Sequence, residues 1–333
     1  MGTMVSTTDY HTAGEPFRIV TAGVATPRGR TAAERRRWAL EHLDEVRALL
    51  CREPRGHADM YGCFLAPPDD EDGDLATVFF HNDGFSTACG HGTIALATWA
   101  VEAGLVVPEP GATVHTVVID VPSGRVEAVV ALEDGRPGPV RFRNVPASVH
   151  TLDLQLEVEG RPLHLDVSYG GAFYASCDAE QLGLEVVPAH LDDLIRWGRA
   201  IKAAVNDHLE LRLPDASGDA GLYGVIFVDR LAHQHQRNVT VFADGQVDRS
   251  PCGSGTSARL AVLAARGSLG VGDTLVHDSI VGTRFLGRVL AEARSADGTV
   301  TYDTEVEGRA VRTGHHTFVL EPHDELGTGF VLR

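Results

Sequence analysis

The spacing of apolar and polar positions along the 333-residue chain changes several times, and each change predicts an element. In TAAERRRWALEHLDEVRALLCR (31–52), Trp38, Leu40, Leu43, Val46, Leu49 and Leu50 recur at helical spacing behind a threonine suited to capping. That stretch predicts one amphipathic helix. LDDLIRWGRAIKAAVNDHL (191–209) predicts another. Short runs rich in β-branched and aromatic residues predict strands at 16–24, 76–82, 221–229 and 237–245. TVVIDVPSGRVEAVVAL (116–132) reads as strand, Pro-Ser-Gly turn and strand, a hairpin. EDGRPGP (133–139) holds two glycines and two prolines in seven residues and predicts a linker between domains. Many short strands beside few helices predict mixed α/β (α+β) domains rather than a doubly wound parallel sheet.

One pattern occurs twice. STACGHGTIA (86–95) and SPCGSGTSAR (250–259) share Cys-Gly-x-Gly-Thr, with their cysteines 163 positions apart. The frame extends in both directions. Thr77-Val78-Phe79 and Thr240-Val241-Phe242 stand at the same offset upstream, and Gly104 and Gly267 each follow their cysteine by fifteen positions. Each copy reads as strand, loop, Cys-Gly-x-Gly-Thr, helix and glycine stop. One copy per half-chain predicts duplicated domains, since the period is too long for a solenoid.

Helix physics gives each copy a chemistry. A cysteine at a helix N-terminus lies at the positive end of the macrodipole, which favours thiolate over thiol. The residues after it offer backbone N–H groups that can hold a carboxylate or a phosphate. Two such thiols acting on one ligand could take a proton from one face of a carbon and return it to the other. That is inversion of a stereocentre beside a carboxylate. Cys51, Cys63 and Cys177 lack the frame and read as structural.

Composition narrows the partners. The formal net charge of −17 argues against nucleic acid and anionic membrane surfaces. No stretch nears the roughly 18–20 apolar residues needed to cross a bilayer. MGTMVSTTDY has neither a basic nor an apolar signal-peptide region, and five cysteines, an odd number, suggest reduced thiols and a cytoplasmic setting. Lys202 is the only lysine among 29 basic residues, and no glycine-rich phosphate loop lies near it. It reads as a surface residue rather than a Schiff-base lysine, which excludes pyridoxal phosphate and leaves no cofactor. His233, His235, His315 and His316 lack companion ligands at zinc-site spacing, so no metal is expected. His11 and His57 read as local hydrogen-bonding residues.

The sequence resembles the proline racemase family of proline racemases, 4-hydroxyproline 2-epimerases and trans-3-hydroxy-L-proline dehydratases. The likeness runs through DYHTAGEPFRIV (9–20), EPRGHADMYG (53–62), HNDGFSTACGHGT (81–93), SYGGAFYA (168–175), FADGQVDRSPCGSGT (242–256) and the closing GTGFVLR. The resemblance implies a diaminopimelate epimerase-like fold. In it, two similar domains each wrap a curved mixed sheet around a central helix, with the active site in the cleft between them. The expected domains are 1–136 with 312–333, carrying Cys89, and 137–311, carrying Cys252.

The resemblance further implies cofactor-independent two-base chemistry, a small-molecule substrate and a homodimer. Matched by motif, Cys89 and Cys252 are the acid/base pair. Gly90, His91, Gly253 and Ser254 hold the substrate carboxylate, and Asp248 meets the ring ammonium. Dehydratases of the family carry threonine at the position of Cys252, so the cysteine points to racemisation or 2-epimerisation of proline or a hydroxyproline. The text around it is closer to the dehydratase branch, and dehydration of trans-3-hydroxy-L-proline at the same site is the alternative. 4-Hydroxyproline epimerases tend to carry a histidine where this chain has Leu222-Tyr223-Gly224, which leaves proline matched at least as well as 4-hydroxyproline. A site that binds imino acids without turnover is the remaining reading.

Overall fold

The structure, a computed structural model, describes residues 3–212, 221–294 and 298–332. Met1, Gly2 and Arg333, the ends of the expected first domain, lie outside these. The chain divides into two compact units, Met1–Phe142 with Gly308–Arg333, and Arg143–Glu307.

In the first unit the order is β1 (Thr3–Thr12), β2 (Glu15–Ala22), α1 (Ala32–His42), α2 (Asp44–Cys51), β3 (Tyr61–Ala66), β4 (Leu75–His81), α3 (Gly90–Glu102), β5 (Val114–Val121), β6 (Gly124–Glu133) and β7 (Arg136–Arg143). The second holds β8 (Ala147–Val158), β9 (Arg161–Tyr169), β10 (Phe173–Asp178), α4 (Leu191–His208), β11 (Gly224–Ala232), β12 (His235–Phe242), β13 (Gln246–Asp248), α5 (Gly253–Ala265), β14 (Thr274–Ser279), β15 (Arg284–Arg294) and β16 (Val300–Gly308). The chain then returns to the first unit as β17 (Ala310–Leu320), which pairs antiparallel with β1.

Strand pairing shows the duplication. In the first unit β1–β2 is antiparallel, β2–β3 parallel, β3–β4 antiparallel, β4–β5 parallel and β5–β6 antiparallel. The same alternation follows from β9 through β10, β11, β12 and β14 to β15. Each parallel step needs a crossover. α1 with α2 corresponds to α4 at the first step, and α3 to α5 at the second. In the second unit β15 continues to β16, and β16 pairs back onto β8, which closes the sheet around on itself.

α3 and α5 are the central helices. Ten of the thirteen residues of α3 and eleven of the thirteen of α5 are buried, so each is apolar or small on almost every side. α3 packs on β1, β2, β5, β6 and β17, and α5 on β8, β9, β10 and β15. No helix among the described residues is long and apolar enough to cross a membrane.

Three expectations need correction. The helix predicted over 31–52 is two helices broken at Leu43, which has φ −122° and ψ 8°. The break lets buried Arg47 donate to the carbonyls of His81 and Asn82, so tertiary contacts override a continuous helical pattern. The stretch 133–139 is no linker. Asp134 (φ 51°) and Gly135 (φ 75°) form a tight two-residue turn from β6 into β7. Lys202 is half-buried rather than a surface residue, and its Nζ donates to the Ala243 carbonyl at 2.6 Å. Ala243 has φ 49°, so the lysine secures a left-handed turn on the way to Asp248.

Candidate active site

Cys89 is the N-cap of α3, and its Sγ accepts the Gly92 N–H at 3.3 Å. Thr93, the last residue of the phrase, donates both its N–H and its hydroxyl to the Cys89 carbonyl, each at 2.9 Å. Gly92 is obligatory by space. A Cβ there would lie 2.8 Å from the cysteine sulfur and 2.5 Å from the Phe17 ring. Two arginines, buried Arg47 and half-buried Arg36, hold the loop before Cys89. Besides Arg47, Arg36 donates twice to the Phe85 carbonyl, at 2.8 and 2.6 Å. Tyr61 and Ser86 bond through their hydroxyls.

The His91 ring lies 3.5 Å from Cys89 Sγ, edge-on to Phe17 and Tyr61. Burial lowers its pKa to about 3, so the imidazole beside the sulfur is neutral. His57 and His11 each accept a nearby backbone N–H at 3.2 Å, from Asp59 and Gly14.

Cys252 caps α5 in the same frame, but on a different backbone. Its φ is 61° and ψ 111°, a region that non-glycine residues rarely occupy and that costs on the order of 1–3 kcal/mol. It is held there by a network. Asp248 Oδ1 accepts the Ser250 N–H at 2.8 Å and the Ser250 hydroxyl at 2.7 Å, and Ser250 Oγ accepts the Cys252 N–H at 3.1 Å. The Pro251 carbonyl accepts from Asn238 Nδ2 and from Thr256 Oγ1.

Buried His277 completes that network. Since the Thr256 hydroxyl donates to Pro251, it must accept from His277 Nδ1 at 2.9 Å, while Asn238 Nδ2 donates to Nε2 at 2.6 Å. These bonds require the neutral Nδ1–H tautomer, in keeping with a pKa lowered by burial to about 3.

Tyr174 Oη stands 3.9 Å from Cys252 Sγ and 2.7 Å from Ser254 Oγ. Burial and the neighbouring Cys252 and Tyr223 raise the tyrosine well above its ordinary range, so it is a neutral phenol. A Cβ on Gly255 would lie 2.9 Å from the Cys252 sulfur, the counterpart of Gly92. Burial, then the charge of Asp248, pushes the Cys252 thiol up, and burial also raises Asp248. The thiolate expected from the helix dipole is thus overruled at Cys252, where desolvation outweighs the dipole. Cys51, Cys63 and Cys177, all buried, are pushed up to about 12 by burial.

The structure therefore gathers Cys89, Gly90 and His91 at one helix start, and Asp248, Cys252, Gly253 and Ser254 at another. The first-turn N–H groups of Gly90, Gly253 and Ser254 have no acceptor within their helices. Sequence reasoning did not single out Tyr174, Ser250 or Thr256. The threonine was in plain view, as the fifth residue of both phrases. Among the histidines once weighed for metal, His235 pairs with Asp278 at 2.7 Å and His315 contacts Thr8 at 3.1 Å.

Two duplicated units, each presenting a cysteine and a backbone nest at the start of its central helix, define an enzyme of the isomerase type seen among its relatives. The chain belongs to the proline racemase family, whose model matches residues 7–331. It is 42% identical to a trans-3-hydroxy-L-proline dehydratase of Bacillus cereus over 98% of each chain. It is 44% identical to a 3-hydroxyproline 2-epimerase of Burkholderia multivorans, over 99% of this chain and 98% of that one. A solved hydroxyproline epimerase from Agrobacterium vitis, with bound trans-4-hydroxy-L-proline, superposes with a TM-score of 0.92 at 32% identity, covering 99% and 96% of the two chains.

Proposed function

We propose that the chain inverts the α-carbon of proline or a hydroxyproline without a cofactor, with Cys89 and Cys252 as the two acid/base groups, one for each face of that carbon. The observation that carries this reading is the matched placement of two buried sulfurs, each at the start of its unit's central helix. Cys89 Sγ accepts a helix N-terminal N–H, an arrangement that supports charge on sulfur. Cys252 is kept as a neutral thiol by burial and by Asp248. One sulfur is set to take a proton and the other to give one, and the reverse reaction exchanges the roles.

The nests at Gly90–His91 and Gly253–Ser254 would receive the substrate carboxylate. Asp248, whose ionisation burial disfavours, would be stabilised as a carboxylate by the ring ammonium. The 3-hydroxyproline ring is the favoured substrate, because a relative 44% identical is named a 3-hydroxyproline 2-epimerase. We assign the working form as a cytoplasmic homodimer, which light scattering and fractionation would check.

A second reading has equal support from the relatives, several of which are named trans-3-hydroxy-L-proline dehydratases at 42–44% identity. There one thiolate removes the α-proton, the 3-hydroxyl leaves with a proton as water, and the enamine formed tautomerises to Δ1-pyrroline-2-carboxylate. Products decide between the two. L-Proline, trans-4-hydroxy-L-proline and trans-3-hydroxy-L-proline are incubated separately with reduced enzyme and followed by NMR. The 2-epimer of either hydroxyproline, or loss of the proline α-proton signal in D2O, supports the isomerase, an imine from the 3-hydroxy substrate alone supports the dehydratase, and no change in all three rejects both.

A further inference from the structure

The second unit contains a cavity of about 600 Å3 built from residues that the proposed chemistry does not use. Arg259 forms part of its wall. It lies on α5 two turns beyond Cys252, about 10 Å along the helix axis, and is 3% exposed. Its Nε donates to Gln236 Oε1 at 3.0 Å. Its natural partner, Asp166, is already engaged: the Arg266 fork takes both carboxylate oxygens, at 3.1 and 2.5 Å, and the Asp153 N–H adds a bond at 2.9 Å. Arg259 Nη1 is left 3.9 Å from Asp166, too far for a hydrogen bond.

Burial lowers Arg259 to about 10, so it remains a cation at neutral pH. Asp166 at 3.9 Å and the charge of Asp178 offset part of the cost, but the Nη groups make no hydrogen bond among the described residues, and a buried guanidinium in that state is costly unless something else satisfies it. Beside it in the wall, Ser176 is 4% exposed and its hydroxyl has no hydrogen-bond partner among the described residues. Two donors thus stand ready in one buried wall. Asp153 and Asp178 also line the cavity, bonded to exposed His164 and Arg230, and the charge of Asp178 also acts on Arg259.

We propose that this cavity is a second ligand site, for a zwitterion of amino-acid size. The ligand's carboxylate meets the Arg259 Nη groups and the Ser176 hydroxyl, and its ammonium meets Asp178 and Asp153. The two aspartates disfavour a dianion such as phosphate and favour a ligand carrying its own positive charge.

Glycine is the probe. It is titrated into the full chain with pyrrole-2-carboxylate present throughout to occupy the cysteine site, while arginine Nε–H signals are followed by NMR. The expected result is a saturable millimolar shift at Arg259. Ser176→Ala, which removes an unpartnered hydroxyl and should fold, weakens binding about tenfold, the worth of one buried hydrogen bond. Arg259→Met abolishes it. No saturable shift up to tens of millimolar glycine, or unchanged affinity in Ser176→Ala, overturns the site. Acetate binding as tightly as glycine overturns the zwitterion assignment. None of these readouts needs turnover, so failure here and failure of the proposed reaction are told apart.

Discussion

The two cysteine loops share a phrase, a helix and a flanking topology, yet their sulfurs stand on different backbones among different neighbours. Cys89 has an extended backbone, accepts the Gly92 N–H and has neutral His91 beside it. Cys252 has a positive φ, no side-chain capping bond, and a buried carboxylate within its network. The helix N-terminus is the same physical device in both. Both sulfurs are buried; what differs is the backbone beneath them and, at Cys252, the charge of Asp248, which together with burial outweighs the dipole there.

That contrast can be broken at its centre. Removing either thiol, as Cys89→Ala or Cys252→Ala, should lower the inversion rate by about 10²–10⁴, measured by polarimetry. The loss should be similar for both, because inversion needs both faces. Asp248→Asn should cost about 10² in kcat/KM, by removing a charged partner of the ring ammonium.

The same change should stabilise the fold. Asp248 is raised in the folded state, so its contribution is intact below the carboxylate pKa of the unfolded chain and is lost as pH rises toward neutrality. The variant's Tm advantage should therefore be absent at low pH and grow as pH rises above about 4. A lower Tm for the variant at pH 7 would contradict the assignment of burial as the dominant effect.

Smaller effects sharpen the comparison. A methyl group on Gly92 meets the sulfur and the rigid Phe17 ring, whereas on Gly255 it meets the sulfur and the end of Ile226. Gly92→Ala should cost about 1–3 kcal/mol and Gly255→Ala less, as read by denaturant midpoints. His91 and His277 are both neutral in the fold with pKa values lowered to about 3. Their contribution is intact above about pH 6.5, the ordinary histidine value, and is lost as pH falls below it. His277→Gln should flatten that acid decline at the expense of the Cys252 loop.

Much of this was legible in the sequence. The paired phrases marked both helix starts because glycine, cysteine and threonine there answer local demands. A sulfur must fit against the fourth residue, and the fifth must bond back over the turn. α4 was legible because its apolar stripe of Leu194, Trp197, Ile201 and Val205 is buried as a stripe.

Features set by distant partners were hidden. The break at Leu43 depends on where His81 and Asn82 place their carbonyls for Arg47. Tyr174 lies 78 residues from Cys252 and meets it only once β10 and α5 pack. The φ of 61° at Cys252 follows from the Asp248–Ser250 bonds, which the phrase alone does not display. The proline-rich stretch at 133–139 misled because composition does not separate a tight hairpin turn from a linker.

The most direct test of the two-thiol claim is proton NMR in D2O on trans-3-hydroxy-L-proline, with wild type, Cys89→Ser and Cys252→Ser side by side. The account predicts that wild type yields the 2-epimer carrying deuterium at the α-carbon, and that neither serine variant yields it. Inversion at the wild-type rate by either variant would show that its sulfur is not one of the two groups, and the account would fail.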